Sequence, residues 1–160
     1  KGGVQGAAVD LFYSLLVGGC ALTQVPPTLA VECGCVAVCC KAARNTNDMV
    51  ILQVLTEISR NAPPEMLPAV ITGGAVDAAV RTIEEVGFLP MEQLAALDLI
   101  LSLAKRAPAK TAKGGAFDAV KGITNEALLP RRNKVMNFLR PIVERKEQTG
   151  SNIRIGGLKF

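Results

Sequence analysis

Residues 96–104, Ala96-Leu-Asp-Leu-Ile-Leu-Ser-Leu-Ala104, decide the fold, because three other stretches repeat their pattern. These are Ala8-Val-Asp-Leu-Phe-Tyr-Ser-Leu-Leu16, Ile51-Leu-Gln-Val-Leu-Thr-Glu-Ile-Ser59 and Val135-Met-Asn-Phe-Leu-Arg-Pro-Ile-Val143. Each is apolar with a polar third residue. Those residues, Asp10, Gln53, Asp98 and Asn137, are separated by 43, 45 and 39 positions, within the period range of helical repeat arrays. A second ladder keeps the same register: Gly34, Gly74, Gly115 and Gly157 are separated by 40, 41 and 42 positions. Glycine suits a sharp helix-to-helix turn, which needs positive φ or a backbone approach that a Cβ would obstruct.

Working outward from these landmarks, each unit of about 40 residues reads as a short helix, a Gly turn, a medium helix and a longer helix. Residues 2–17 predict the last helix of a unit that is otherwise missing, ended by Gly18 and Gly19. The first unit spans about 26–61: a short segment after Pro26 and Pro27, the Gly34 turn, a helix through about Ala43 and a helix to about Arg60 capped by Thr46 or Asn47. In the second, 63–106, Pro63 and Pro64 open a short helix, Gly73 and Gly74 turn the chain, and Ala75–Val86 and Pro90–Arg106 follow. The third, 108–148, places its turn at Gly114 and Gly115, its second helix over Phe117–Ala127 and its long helix from Pro130 to near Lys146. Residues 150–160 predict the start of a further unit. Proline fits the first turn of a helix, where its missing N–H had no intrahelical partner. One unit cannot bury its apolar face alone, so stacked units sharing a continuous core are expected, as one all-α domain.

Composition agrees. The 160 residues are 49% hydrophobic and 20% charged, enough for a sizeable core, and only 4% aromatic, with no Trp. Ala, Val, Leu and Ile must fill that core, and small side chains let helices approach closely. Charge is uneven: residues 1–80 carry 4 basic and 6 acidic groups, and residues 81–160 carry 14 and 8. The basic half, with Arg131, Arg132, Lys134, Arg145 and Lys146 as candidate contacts, fits an acidic protein or tubulin-like surface. No aromatic rings interleave with these charges, which disfavours nucleic acid.

Five cysteines, Cys20, Cys33, Cys35, Cys39 and Cys40, are odd in number and tightly clustered, unlike a secreted disulfide framework. A reducing intracellular compartment is expected, cytoplasm or cytoskeleton first and an organelle second. Their spacing matches no standard zinc pattern and the chain has no His, so no metal or other cofactor is expected. The uncharged run Leu11–Val31 is interrupted by Gly18, Gly19, Pro26 and Pro27, which argues against a spanning helix. An enzyme is disfavoured. Glu84 and Glu85 point about 100° apart on a helix, Cys39 and Cys40 lack a His or Asn partner, and Lys113-Gly114-Gly115 lacks the remainder of a phosphate loop.

The turn motifs Thr72-Gly-Gly-Ala-Val76 and Lys113-Gly-Gly-Ala-Phe117, each followed one helix later by the long apolar helix, resemble armadillo repeats across essentially the whole chain. The stretch 62–76, Ala-Pro-Pro-Glu-Met-Leu-Pro-Ala-Val-Ile-Thr-Gly-Gly-Ala-Val, is the strongest match. HEAT repeats are the second choice. The resemblance implies a right-handed α-solenoid whose third helices line a concave groove. Importin-α-like members carry a Trp and, four residues later, an Asn on that face. Here the first position falls on Asp10, Gln53, Asp98 and Asn137, and the second on Ser14, Glu57, Ser102 and Pro141. Without Trp or an Asn pair, binding of a nuclear localisation peptide is disfavoured. What the resemblance implies instead is a non-catalytic scaffold or structural subunit of a larger assembly, held through this polar ladder or the basic half. A cytoskeletal or axonemal setting is one version; an organellar membrane complex or an adaptor for basic peptides is the alternative. Pro141 is expected to bend or stop the groove.

Overall fold

The computed structural model describes Ala7 and residues 26–43, 49–85 and 90–155. All regular structure among them is helical. In chain order the helices are α1 Pro27–Glu32, α2 Cys35–Ala43, α3 Met49–Asn61, α4 Leu67–Thr72, α5 Ala75–Glu85, α6 Pro90–Arg106, α7 Pro108–Lys113, α8 Ala116–Lys121 and α9 Leu129–Ile155. Short 3-10 turns, Pro64–Met66 and Glu126–Leu128, lead into α4 and α9.

Two rows of helices enclose the core. The long helices pack in series, α3 on α6 and α6 on α9, and the second helices do likewise, α2 on α5 and α5 on α8. Helix α6 is central, packing on α5 as well. It opens with Pro90, carries Glu92 in its first turn and ends with Lys105 and Arg106, all favourable to the helix dipole. Leu97, Leu99, Ile100 and Leu103 are fully buried and meet Leu52, Leu55 and Ile58 of α3 in one cluster with Val135 and Leu139 of α9.

The glycine turns form as the ladder predicts. Gly34, Gly74 and Gly115 have φ of 76°, 100° and 83°, a region closed to most side chains. Their neighbours Gly73 and Gly114 serve a different need. A Cβ on Gly73 would lie 2.7 Å from Val36 Cγ1, and one on Gly114 would lie 2.6 Å from Val76 Cγ1. Val36 and Val76 each stand two residues after a positive-φ glycine. A valine of one unit thus packs into the gap left by the missing Cβ of the next.

Three arginines tie helix ends together. Arg106 of α6 donates to the carbonyl oxygens of Ser59, at 2.6 Å, Arg60, at 3.2 Å, and Ala62, at 2.6 Å, at the end of α3. Arg81 of α5 donates to Ala43 O at the end of α2, and Arg132 of α9 to Lys121 O at the end of α8, both at 3.1 Å. The last carbonyls of a helix have no intrahelical donors, and these guanidinium groups supply them.

Two expected boundaries are corrected. The helix expected over Phe117–Ala127 ends at Lys121, because Gly122 follows and Asn125 takes an extended backbone. The Asn125 side chain accepts from Ala127 N at 3.0 Å and starts the 3-10 turn. The last helix, expected to end near Lys146 with a further unit starting at 150, instead runs on to Ile155 and passes through Pro141. Earlier long helices end just before Pro63 and Pro108, whereas no proline lies between Pro141 and Ile155, and a lone Gly150 costs a helix only about 1 kcal/mol. Apart from Ala7, which is helical, the expected helix at 2–17 lies outside the described residues, as do the caps Thr46 and Asn47 and Gly157.

Among the described residues no single helix is long and apolar enough to cross a membrane. The segments Pro64–Thr72 and Ala75–Glu85 reach that length only together, across a 50° bend. Helix α5 faces the core with Ala75, Val76, Ala79 and Ile83.

Candidate functional site

The polar ladder residues come together where α3 packs on α6. A groove of about 280 Å³ runs between the two helices, with Met49, Gln53 and Glu57 on one side and Met91, Leu94 and Asp98 on the other. Residues four apart share a helix face, which places Gln53 and Glu57 one above the other. The groove is apolar at the Met49 and Met91 end and charged at the other, where Arg60 joins Glu57 and Asp98. Met91 is 60% exposed, the most open large apolar side chain among the described residues.

The acidic groups already have partners. Glu57 accepts from Asn61 Nδ2 and lies 3.7 Å from Arg60 Nη1. Asp98 Oδ1 lies 2.7 Å from Arg131 Nε, reached from the first turn of α9. The N–H does not aim along that line, so the pairing is coulombic more than a directed hydrogen bond. Asp98 has a side-chain exposure of 27%, so solvent screens this pair only in part.

Other ladder positions do different work. Ser102 is only 7% exposed and its hydroxyl meets Ser59 Oγ at 2.7 Å, bridging α6 and α3. Ser59 gives its own proton to Thr56 O, at 2.8 Å, so Ser102 is the donor of the bridge. Asn137 is exposed on α9 beside Phe138 and lines neither this groove nor its neighbour. Asp10 and Ser14 lie outside the described residues.

The basic candidates divide as well. Arg131 and Arg132 are turned inward, to Asp98 and to Lys121 O, rather than held out for a partner. Lys134 and Arg145 are exposed on α9, and the side chain of Lys146 lies outside the described residues. Lys105, exposed at the end of α6, and Arg60 border the groove's continuation and were not singled out by the repeat alignment. Extending each ladder by one further helical step, from Glu57 to Arg60 and from Ser102 to Lys105, would have found them.

Cys35 and Cys39, one turn apart on α2, are fully buried with Sγ atoms 3.9 Å apart. The Cys39 thiol is pushed well above the ordinary range, first by its hydrogen bond to Cys35 and then by burial. Cys33 is exposed at the Gly34 turn. Among the described residues no group of three or more Cys, Asp or Glu is placed to hold a metal ion.

No protein-family model matches this chain, and it shows no significant similarity to any curated protein or any solved structure.

Proposed function

We propose that this chain is an armadillo-like α-solenoid segment acting as a non-catalytic protein-interaction scaffold, with partner chains held along the row of long helices. The observation that carries this reading is the groove between α3 and α6, where Gln53, Glu57 and Asp98 stand around an apolar end formed by Met49, Met91 and Leu94. A mixed surface of this kind suits an extended peptide, which offers both side chains and backbone groups. The serial packing of α3, α6 and α9, the matching row of α2, α5 and α8, and the repeated glycine turns support the solenoid description. Other subunits of a larger assembly are the expected partners.

Affinity purification of the tagged protein at low and high salt tests this, with mass spectrometry of what remains attached. The comparison is with a Gln53→Trp/Met91→Gln variant, which narrows the groove and removes its apolar end without changing its charge. A defined set of proteins released by those two substitutions is the expected result. Partners retained unchanged by the variant would remove the groove from the function.

A further inference from the structure

Asp98 stands where two clefts meet. Beyond it, between the ends of α3 and α6 and the start of α9, lies a second cleft of about 230 Å³. Arg60, Lys105, Arg106 and Arg131 border it, with Asp98 as its one carboxylate. Arg106 is committed to the carbonyls at the end of α3, and Arg131 faces Asp98. Arg60 is more than half exposed with only a long contact to Glu57, and Lys105 is exposed.

The two clefts differ in what they would accept. A cation entering the first groove must compete with Arg60 and Asn61 for Glu57 and with Arg131 for Asp98. A carboxylate entering the second meets four cations against one anion. That imbalance favours an acidic ligand. No Phe or Tyr lines either cleft to stack a base, and the adjoining apolar end suits a side chain of an extended chain.

Resting on the groove reading above, we infer that the occupant is an acidic peptide segment. It seats one apolar side chain against Met91 and Leu94 and sets carboxylates between Arg60, Lys105 and Arg131. From Leu94 to Lys105 a helix rises about 16 Å at 1.5 Å per residue. An extended chain covers that in about five residues. The motif is therefore an apolar residue followed about five positions later by Glu or Asp.

The test is fluorescence anisotropy of the whole 160-residue chain with a labelled peptide, acetyl-Gly-Leu-Gly-Ser-Gly-Ser-Glu-Glu-Gly. A counterpart with Lys for both Glu residues and one with Gln for Leu are the controls. The acidic peptide should bind, weaken as salt rises, and weaken about tenfold with Lys105→Glu or a few-fold with Arg60→Ala. Asp98→Asn should tighten it by about threefold, because Arg131 is released toward the ligand. A variant with lost structure would not bind more tightly, so this readout separates recognition from folding. Equal or tighter binding of the Lys counterpart would overturn the inference, as would acidic-peptide binding that ignores both Lys105→Glu and Arg60→Ala. If neither peptide binds while Gln53→Trp/Met91→Gln still releases the native partners, the inference falls and the groove reading stands. Failure of the groove reading shows differently, as native partners that stay attached to that variant.

Discussion

Helices α6 and α9 are neighbours in the row of long helices, yet among the described residues α6 is walled in and α9 is one-sided. Helix α6 lies between α3 and α9 with α5 beneath it, and every apolar side chain from Ala95 to Ala104 is buried. Helix α9 buries Val135, Met136 and Leu139 but leaves Lys134, Asn137, Phe138 and Arg140 exposed. The difference teaches that position in the row, more than helix propensity, sets what a side chain contributes. Among the described side chains, the longer helix has the smaller share of the core.

The largest test of that contrast is a pair of truncations. Leu97→Ala should destabilise by about 3–5 kcal/mol through lost burial and a cavity, while Phe138→Ala should cost under about 1 kcal/mol. Urea unfolding followed by circular dichroism compares them, and similar midpoints would erase the distinction. Next comes the seam between units. Gly114→Ala presses a Cβ on Val76 and should cost about 1–3 kcal/mol. Gly122→Ala, with φ of −70° and only ordinary contacts at 3.5 Å or more, should be neutral or stabilise slightly. Equal effects in the two variants would deny the valine-glycine contact. A smaller loss is expected for Ser102→Ala, about 0.5–1.5 kcal/mol, because Ser59 loses one partner but keeps Thr56 O. Least affected is Asp98→Asn, where a partly solvated ion pair is worth at most about 1 kcal/mol in thermal unfolding. Thiol labelling with peptide mapping sharpens the picture at the first unit. Cys33 should react well before Cys35 and Cys39, since both are buried and Cys39 is held neutral.

The helices and turns were legible wherever proline or glycine marked them. Pro63 and Pro64, Pro90 and Pro108 open elements where expected, and three glycines carry the predicted positive φ. The reading slipped at single glycines off the ladder: Gly122 ends a helix expected to continue, and Gly150 lies inside a helix expected to have stopped. The site was half legible. Period alone brought Gln53, Glu57 and Asp98 to one groove, because residues on one helix face stay together. It could not show that Arg131, 33 positions after Asp98, folds back to neutralise it, nor that Ser102 turns inward to Ser59. Both depend on how neighbouring helices cross, which local sequence does not encode.

The seating of Val36 against Gly73 and of Val76 against Gly114 also acts as a spacer. It fixes how closely consecutive units approach along one edge, while the long-helix row on the other edge keeps its own separation set by leucines. Unequal spacing on two edges is what makes an array curve. On the solenoid reading proposed above, side chains at these few positions would tune the arc of the array without touching the groove between α3 and α6. Substitutions at Val36, Gly73, Val76 or Gly114 would then alter the inferred peptide spacing from outside the groove.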